Sequence, residues 1–329
     1  MNNSIIIKKI GTYKPSNFIS INKFIEHFKQ QDKDVVGLYK SLGRTGIYRS
    51  NNSKENSLTM AIDSAKKVLN GINKDEIDMI LFLSETPQYT VPCTALKISN
   101  ALSTKNAYII MDVNQNCSGM VSILELAKDI MLQKHLRKAL IIGSLFYKMI
   151  ANSSDIVAYG TISDASATLL LENLEQENIG IIDSEFYANS KNHAFAEFPP
   201  CGMSKVFLDN PIKEEIKQKW QPHDTSFFAY DWKELINKIL QRNNLRYNQI
   251  KQYFFSQFSV KDMNNTLELL KLDSKYATIV SDKIGYTGCT SPFFACKQYI
   301  DTNNVQKDDY FIFCSVSIGY SMSIVLYKV

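Results

Sequence analysis

Cys117 is the residue whose type and position in the sequence are best suited to chemistry. It follows an apolar segment, residues 107–113, that is typical of a buried strand, and it precedes residues 120–131, where apolar side chains recur at helical spacing. A thiol between a strand end and a helix start lies in the field of the helix N-terminus, which favours the nucleophilic thiolate. The same pattern also fits a small buried cysteine, because cysteine is among the most buried residue types.

Basic side chains that could bind an anion or move a proton occur in two irregular stretches. The glycine-punctuated segment 43–49 carries two arginines, including Arg44. Exposed arginines usually only solvate a surface, so this segment alone is a weak sign of an anion site. Residues 173–230 have little periodicity and contain His193 and His223. A stretch of this length inside a compact protein is usually a lid or a binding loop.

Length and composition limit the class of protein. The chain has 329 residues, 45% of them hydrophobic, and a formal net charge of +4. Such a small charge argues against a nucleic-acid partner. No apolar run is long enough for a membrane span, and the N-terminus lacks the apolar region of a signal peptide. The six cysteines show no metal-binding spacing, so we expect a soluble cytoplasmic protein with free thiols and no metal.

The elements that must position these residues alternate along the chain. The order of helix 57–69 and strand 77–84 is echoed by helix 232–240 and strand 250–258, which predicts a layered α/β fold of two pseudo-symmetric halves. The other predicted helices are 21–28, 94–102, 120–131, 263–272 and a helix ending near residue 300. The other predicted strands are 5–10, 107–113, 139–145, 168–171, 277–280, 310–317 and 320–327.

Seven short motifs follow one another along the chain: Arg44-Thr-Gly-Ile47, Thr86-Pro-Gln-Tyr-Thr-Val-Pro92, Asp112-Val-Asn-Gln-Asn-Cys-Ser-Gly119, Ser163-Asp-Ala-Ser-Ala167, Ser256-Gln-Phe-Ser259, Asp282-Lys-Ile-Gly-Tyr-Thr287 and Gly319-Tyr-Ser-Met-Ser323. Their order and spacing resemble the ketoacyl-ACP synthase III group of the thiolase superfamily over nearly the whole chain. The resemblance implies a five-layered α-β-α-β-α fold, with halves at 1–172 and 173–329 and an irregular insert at about 173–230 that caps a tunnel. It also implies a homodimer and a cysteine that takes an acyl group from a thioester.

Two catalytic residues of the resembled family are replaced in this chain. Condensing members carry a histidine in a Pro-His-Gln-Ala-Asn motif, where this sequence has Ser256, and an asparagine in a Tyr-Gly-Asn-Thr motif, where it has Tyr286. These groups stabilise an enolate, and neutral hydroxyls are weaker donors for that purpose. The backbone N–H groups of Cys117 and Ile318 would still form an oxyanion hole, because such donors need no side chain.

The resemblance also implies where the substrate binds. Arg44 and Lys261 fall where the family places basic residues around the pantetheine entrance, and Val91 and Gly319 fall at the acyl tunnel, with Val91 reaching into the tunnel of a partner subunit. The family's stacking tryptophan is absent, and Lys40 stands near its place. We therefore expect acyl carrier protein rather than CoA as the donor, with no cofactor beyond the pantetheine thioester itself.

Three functional hypotheses follow. In the first, Cys117 takes an acyl group and passes it to another acceptor in a specialised fatty-acid or polyketide-type pathway, with a base such as His193 or His223. In the second, the protein still condenses, using Tyr286, Ser256 and a water. In the third, it is a non-catalytic partner in a heterodimer with an active synthase, although such a subunit need not keep the thiol. The first hypothesis fits best, because acylation needs only the thiol and backbone donors.

Overall fold

The described residues, 3–221 and 224–329 of a computed structural model, form a five-stranded and a four-stranded β-sheet, two small two-stranded sheets, and helices that cover both faces of each large sheet. Within these residues no helix is long and apolar enough to cross a membrane. The helices are α1 Ile21–Lys29, α2 Val36–Leu42, α3 Ser57–Leu69, α4 Thr94–Leu102, α5 Gly119–Gln133, α6 Met203–Leu208, α7 Lys213–Ile216, α8 Phe228–Arg242, α9 Val260–Leu269, α10 Ser281–Ile284 and α11 Ser291–Thr302. The strands are β1 Ser4–Tyr13, β2 Phe18–Ser20, β3 Gly46–Tyr48, β4 Ile77–Leu83, β5 Ile109–Val113, β6 Lys138–Leu145, β7 Ala165–Leu174, β8 Gly180–Ala188, β9 Ala196–Glu197, β10 Lys219–Trp220, β11 Ile250–Phe255, β12 Tyr310–Ser317 and β13 Ser321–Lys328.

The first sheet has the strand order β1-β7-β6-β4-β5. Its interior strand β4 runs parallel to both β5 and β6, and every residue of β4 is buried. Helices cover both faces of a parallel sheet, which is why β4 reads as a continuous apolar run. Leu83 pairs with Val113, so β4 and β5 end side by side at the same edge of the sheet.

The second sheet has the strand order β11-β12-β13-β8. Strand β11 runs parallel to β12, and Phe255 pairs with Cys314 near the carboxyl ends of both strands. Strands β12 and β13 form an antiparallel hairpin whose turn contains Ile318 and Gly319. The loop after β11 and this turn therefore lie at one edge of the second sheet.

Three apolar cores hold the layers together. Helices α3 and α4 pack on the outer face of the first sheet, α5 and α11 fill the space between the sheets, and α8 and α9 cover the outer face of the second sheet. This arrangement confirms the predicted five-layered α-β-α-β-α fold. The first sheet ends at Leu174 and the second begins at Gly180, while the predicted boundary between halves, at residues 172 and 173, falls within the end of β7.

Two predictions about local structure are wrong. The stretch 173–230 is not irregular throughout, because it contains β8, which pairs with β13 over its full length. Asp183 and Glu185 interrupt the apolar pattern of β8, but both carboxylates form ion pairs with Arg242 of α8, so the outer face of the strand is charged and covered. Residues 277–280, predicted as a strand, form only an isolated bridge from Ala277 to Tyr253.

The core between the sheets predicts a large stability effect for Phe293→Ala. Phe293 of α11 is fully buried and stacks on Phe313, with ring centroids 5.1 Å apart. Removing a buried phenylalanine ring costs about 3–5 kcal/mol, so the free energy of unfolding in urea should fall by that amount. The matched control is Phe207→Ala in α6, where the side chain is 76% exposed. Equal losses for the two variants would contradict the assignment of the central layer.

Candidate active site

Cys117 lies in a single 3-10 turn, Asn116–Ser118, between β5 and α5. The residue is buried, with 6% of its surface exposed. Gly119 begins α5, and a Cβ atom there would lie 2.9 Å from Cδ2 of Leu83, the last residue of β4. The glycine therefore lets the start of α5 pack against the end of β4, which fixes the thiol at the edge where β4 and β5 end.

Glu85 approaches the thiol from the segment after β4. The Sγ–H of Cys117 donates to Oε1 of Glu85 at 3.4 Å. Burial disfavours the charged form of a carboxyl group, and it raises the pKa of Glu85 to about 7, although the thiol hydrogen bond lowers that pKa in part. A carboxyl group with this pKa can both accept and return a proton near neutral pH.

The thiol itself is protonated in the resting site. Burial raises the pKa of Cys117 well above its ordinary value, and the charge of Glu85 raises it further, while the hydrogen bond from Tyr286 lowers it. The resting site therefore does not hold the thiolate that a position at a helix N-terminus predicts. Desolvation and the neighbouring carboxylate both favour the neutral thiol, so the nucleophile needs a base.

Ser256 and Tyr286 form a buried hydroxyl pair beside the thiol. Their oxygens lie 3.0 Å apart, and Tyr286 also hydrogen-bonds the side chain of Cys117. Tyr286 is held by its backbone: its N–H donates to the carbonyl of Thr161 at 3.0 Å, and its carbonyl accepts from the N–H of Ser163 at 2.7 Å. The structure thus brings together three of the predicted catalytic side chains, those at positions 117, 256 and 286.

The turn between β12 and β13 is tied to the turn that holds Cys117. Ser315 Oγ donates to the carbonyl of Cys117 at 3.0 Å, and Asn116 Nδ2 donates to the carbonyl of Ile318 at 3.4 Å. Within residues 3–221 and 224–329, no acceptor takes the N–H of Ile318. Ile318 borders the same cavity as Cys117, so its role as an oxyanion donor stays a reasonable prediction.

Two spaces share part of their lining, and the inner one borders the thiol. The inner cavity, of about 30 Å³, contains Cys117 and is mostly aromatic. The outer groove, of about 620 Å³, is bordered by Lys261 and by the segment 155–157. Trp220 and Phe258 border both spaces. The inner cavity is lined by Cys117, Phe195, Trp220, Phe228, Phe258, Tyr286, Val316, Ser317, Ile318 and Tyr320.

Glu85 also borders a third space, which we call the polar cavity. Its volume is about 70 Å³, and its walls include the amide side chains of Asn114, Asn116 and Gln218. Glu85 therefore faces the thiol with one oxygen and borders a separate polar space as well. No group of three or more His, Cys, Asp or Glu side chains in the described parts of the chain is placed to hold a metal ion.

Two family descriptions match the sequence. One, 3-oxoacyl-[acyl-carrier-protein (ACP)] synthase III, covers residues 111–190, and its C-terminal counterpart covers residues 240–329, so that together they account for just over half of the 329 residues. The chain belongs to the 3-oxoacyl-[acyl-carrier-protein] synthase III family. This membership confirms the resemblance found in the sequence, and it makes the protein a member of a family of enzymes that transfer acyl groups.

Individual relatives agree with this assignment. The chain is 25% identical to a beta-ketoacyl-[acyl-carrier-protein] synthase III of Clostridium perfringens over 335 residues, with 100% of both chains covered. Its fold is similar to that of the 3-oxoacyl-[acyl-carrier-protein] synthase III of Aquifex aeolicus, with a TM-score of 0.84, 18% identity and full coverage of both chains. It is also similar in fold to the priming β-ketosynthase of the R1128 polyketide pathway, with a TM-score of 0.86, 13% identity and coverage of 99% and 96%.

Arg44 does not serve as the synthase III family pattern predicts. Its guanidinium is buried and donates to four backbone carbonyls, those of Leu42, Thr161, Gln257 and Phe258. A side chain committed in this way is not available to a phosphate group at the surface. The prediction of a carrier contact for Arg44 is therefore wrong, and the residue holds the loop after β11 in place.

His193, one of the two histidines predicted as a base, does not lie beside the thiol in this synthase III fold. His193 is exposed and lies outside the lining of the inner cavity, so its predicted catalytic role is wrong; His223 lies outside the described residues. Gly319, predicted at the acyl tunnel, sits in the β12–β13 turn at a φ of +80°, and a Cβ atom there would lie 3.9 Å from Cα of His193. Its neighbours on both sides border the inner cavity, but Gly319 itself does not, and its role stays a prediction.

The other two predicted binding residues lie at the surface. Lys261 is exposed on the wall of the outer groove, where a carrier phosphate would be accessible to it. Val91 is 85% exposed at the tip of the exposed segment 88–92. Neither position conflicts with the roles that the synthase III pattern suggests, and both roles stay predictions.

Sequence reasoning missed Glu85, although a signal was present. Glu85 is the first charged residue after the apolar strand β4, and Cys117 follows β5 in the same way. Carboxyl ends of neighbouring parallel strands meet at one edge of a sheet. Pairing β4 with β5 in advance would therefore have placed the carboxyl group and the thiol together.

Proposed function

We propose that this protein forms an acyl thioester on Cys117 from an acyl-carrier-protein or CoA thioester and passes the acyl group to an acceptor other than a malonyl carbanion. Glu85 is the general base of both steps. The observation that carries the proposal is the contact of 3.4 Å between the thiol and a carboxyl group whose pKa is raised to about 7. A protonated, buried thiol needs such a base, and Glu85 is the carboxyl group that its side chain contacts.

The proton balance of the two steps is simple. In acylation, Glu85 takes the proton of the thiol while the sulfur attacks the donor carbonyl, and the carbon–sulfur bond to pantetheine then breaks. The proton returns from Glu85 to the leaving pantetheine thiolate. In transfer, Glu85 takes the proton of the acceptor as it attacks the acyl carbon, and the sulfur of Cys117 leaves and recovers that proton. The N–H groups of Cys117 and Ile318 hold the oxyanion of each tetrahedral intermediate.

The polar cavity supports an acceptor with a hydroxyl or amino group. Glu85 borders this cavity together with Asn114, Asn116 and Gln218, and it reaches Cys117 from there. Amide side chains supply both donors and acceptors of hydrogen bonds, which suits a polar nucleophile better than an acyl chain. The acceptor would thus approach from the side of Glu85, opposite the aromatic inner cavity.

Decarboxylative condensation is the second candidate, and one observation favours it. Tyr286 and Ser256 occupy the positions of the family's catalytic pair, are bonded to each other, and lie beside the thiol. Their hydroxyls are neutral donors, and because the site is buried each hydroxyl needs a hydrogen-bond partner. Losing one preorganised oxyanion donor costs about a hundred- to a thousand-fold in other enzymes, so we rank condensation below transfer.

The acyl donor and the pathway are inferred from the position of Lys261 and from residues that differ from the family motif. Lys261 on the wall of the outer groove is placed to meet the phosphate of a carrier-bound pantetheine arm. The absence of the stacking tryptophan removes a feature that suits the adenine of CoA, so a carrier protein is the preferred donor. Replacement of both condensation residues points away from housekeeping fatty-acid initiation and towards a specialised fatty-acid or polyketide-type pathway.

A dimer completes the proposal. The exposed segment 88–92 presents Val91 as an apolar side chain with no cover in the single chain. In the resembled family this segment reaches into the partner's tunnel, which would bury Val91 beside a second active site. The partner is a second copy of this chain or a related synthase, and the intact Cys117 with its base argues against a purely structural subunit.

Acylation should depend on Cys117 and on a base that titrates near pH 7. Incubation with acyl-ACP or acyl-pantetheine should add the acyl mass to Cys117, and Cys117→Ala should abolish the adduct. Below pH 7 the Glu85 carboxyl group is protonated and accepts no proton, so the rate should fall as the pH is lowered. Glu85→Gln should lower the rate about 10²–10⁴-fold at pH 8 and remove this pH dependence, as measured by intact mass spectrometry over time.

Two controls separate base catalysis from damage to the fold. Glu177→Gln, at an exposed carboxylate, should leave the profile unchanged. Because folding raises the pKa of Glu85 from 4.5 to about 7, this carboxyl group lowers the stability of the folded protein as the pH rises from about 4.5 to 7, and Glu85→Gln should raise Tm at pH 8 but not at pH 4. A Glu85→Gln variant that keeps the full rate and pH profile would remove Glu85 from the mechanism.

Transfer or hydrolysis should exceed condensation when both are offered. With an acyl donor and malonyl-ACP, free acid or transferred acyl group should form faster than carbon dioxide and 3-oxoacyl product. The double variant Ser256→His with Tyr286→Asn should raise carbon dioxide release, because it restores the family's enolate donors. Rapid malonyl-dependent condensation by the parent protein would instead establish the second candidate.

The purified protein should sediment as a dimer at micromolar concentration. Val91→Arg should weaken the dimer, because burial of an unpaired charge at an interface is costly. Val36→Arg, at another exposed valine, is the matched control. A parent protein that sediments only as a monomer, with no copurifying synthase, would contradict the proposed assembly.

A further inference from the structure

Two aromatic side chains stand between the outer groove and Cys117. Trp220 and Phe258 are the residues that the inner cavity and the outer groove have in common. Their rings are stacked, with centroids 5.2 Å apart and planes within 5° of parallel. The path from the groove to the thiol therefore passes through the position of this stack.

We propose that the Trp220–Phe258 stack is a gate that determines which acyl donors reach Cys117. The inference rests on the proposed function for its biological meaning, since it concerns entry of the donor to the same thiol. In the closed state the inner cavity beside Cys117 is about 30 Å³, against about 620 Å³ for the outer groove. A pantetheine arm that enters from the groove therefore reaches the sulfur only after the two rings separate.

Phe258 is the fixed side of the gate. Its carbonyl accepts from Nη2 of Arg44 at 2.6 Å, and the same guanidinium nitrogen donates to the carbonyl of Gln257 at 3.0 Å. The side chain of Gln257 donates to the carbonyl of Thr278 at 2.7 Å and accepts from the N–H of Val280 at 2.8 Å. The ring of Phe258 also packs edge-on against Tyr286, with centroids 5.5 Å apart. These bonds fix the backbone at residues 257 and 258, and the contact with Tyr286 packs the ring of Phe258 on its inner side.

Trp220 is the movable side. It ends the two-residue strand β10, which pairs only with the two-residue strand β9 in the described part of the chain. Its indole N–H donates to the hydroxyl of Tyr147 at 3.0 Å, and its backbone N–H donates to Asp155 Oδ2 at 2.6 Å. Rotation of the side chain breaks the indole bond to Tyr147, whereas the backbone bond to Asp155 does not depend on the side-chain rotamer. A donor that offers the indole ring a new surface can offset that cost.

The residue types indicate what the gate admits. The resembled family has alanine in its Pro-His-Gln-Ala-Asn motif where this chain has Phe258, so the bulk at this position is a feature of this protein. A thin, linear pantetheine arm needs a smaller displacement of Trp220 than a branched or bulky thioester does. The closed stack also keeps bulk water from the acyl group on Cys117 until the acceptor arrives.

Thiol reagents of two sizes test the gate without any acyl chemistry. The parent protein and its variants are treated with iodoacetamide or with a bulky aryl maleimide, and labelling of Cys117 is quantified by peptide mass spectrometry. Opening the stack should raise the ratio of bulky to small labelling about tenfold in both Phe258→Ala and Trp220→Ala, which corresponds to about 1.4 kcal/mol in the barrier. Trp220→Phe keeps an aromatic ring against Phe258 and should stay close to the parent.

The matched control is Tyr230→Ala. Tyr230 borders the outer groove but not the inner cavity and is 60% exposed, so its removal should leave the ratio unchanged. An unchanged ratio in both gate variants, or an equal rise in the control, would overturn the proposal. If an alanine variant does not fold, Trp220→Leu and Phe258→Leu replace it in the test. We expect these variants to give a smaller rise in the labelling ratio. Because labelling needs no donor or acceptor, this result is independent of whether acyl transfer itself is confirmed.

Discussion

The parallel pairing of β4 with β5 is the constraint on which the site depends. Leu83 opposite Val113 brings the ends of both strands to one edge of the sheet. Glu85 leaves β4 at that edge and Cys117 leaves β5 there, so the contact between them is set by sheet register rather than by loop conformation. Because side chains alternate along a strand, a slip of one residue would also move the apolar face of each strand out of the core. The geometry of the Glu85–Cys117 pair therefore depends on the packing of the first sheet.

Burial gives this pair its properties. Removal from water raises the pKa of both groups, so that the resting thiol is protonated and the carboxyl group titrates near neutrality. The same desolvation that makes Cys117 a poor nucleophile alone makes Glu85 an adequate base for it. The loss of hydration is the largest contribution to the raised pKa of the buried sulfur. In the proposed mechanism the thiolate therefore forms by proton transfer to Glu85 during the reaction and is not present in the resting site.

The sequence predicts the parts of this structure that depend on local pattern. The helix over 57–69 and the helix over 94–102 match the structure residue for residue, since their apolar spacing and flanking residues are unambiguous. Strand β8 is not predictable from local pattern, because it contains the charged residues Asp183 and Glu185. Both form ion pairs with Arg242, which lies far along the chain.

The site shows the same division between local and distant information. Cys117 stands out through its strand, turn and helix, whereas Glu85 acquires meaning only from a contact with a residue 32 positions away. For Arg44 the sequence predicted a binding role that the structure does not support, because a sequence shows a charge but not whether it is buried. Its guanidinium serves four carbonyls, which is a structural role that no motif distinguishes from phosphate binding.

The loop that Arg44 holds links the proposed chemistry with the proposed gate. Residues 256–258 follow β11 directly, and the N–H of Ser256 donates to the carbonyl of Cys314 at 2.6 Å, so this backbone is fixed at both ends. Two side chains on this fixed backbone differ from the family motif: Ser256 replaces the histidine and Phe258 replaces the alanine. Condensation needs both the donor and room for a second thioester at the sulfur. Acyl transfer to a small polar acceptor from the side of Glu85 needs neither, and it gains from a passage that closes behind the departing carrier.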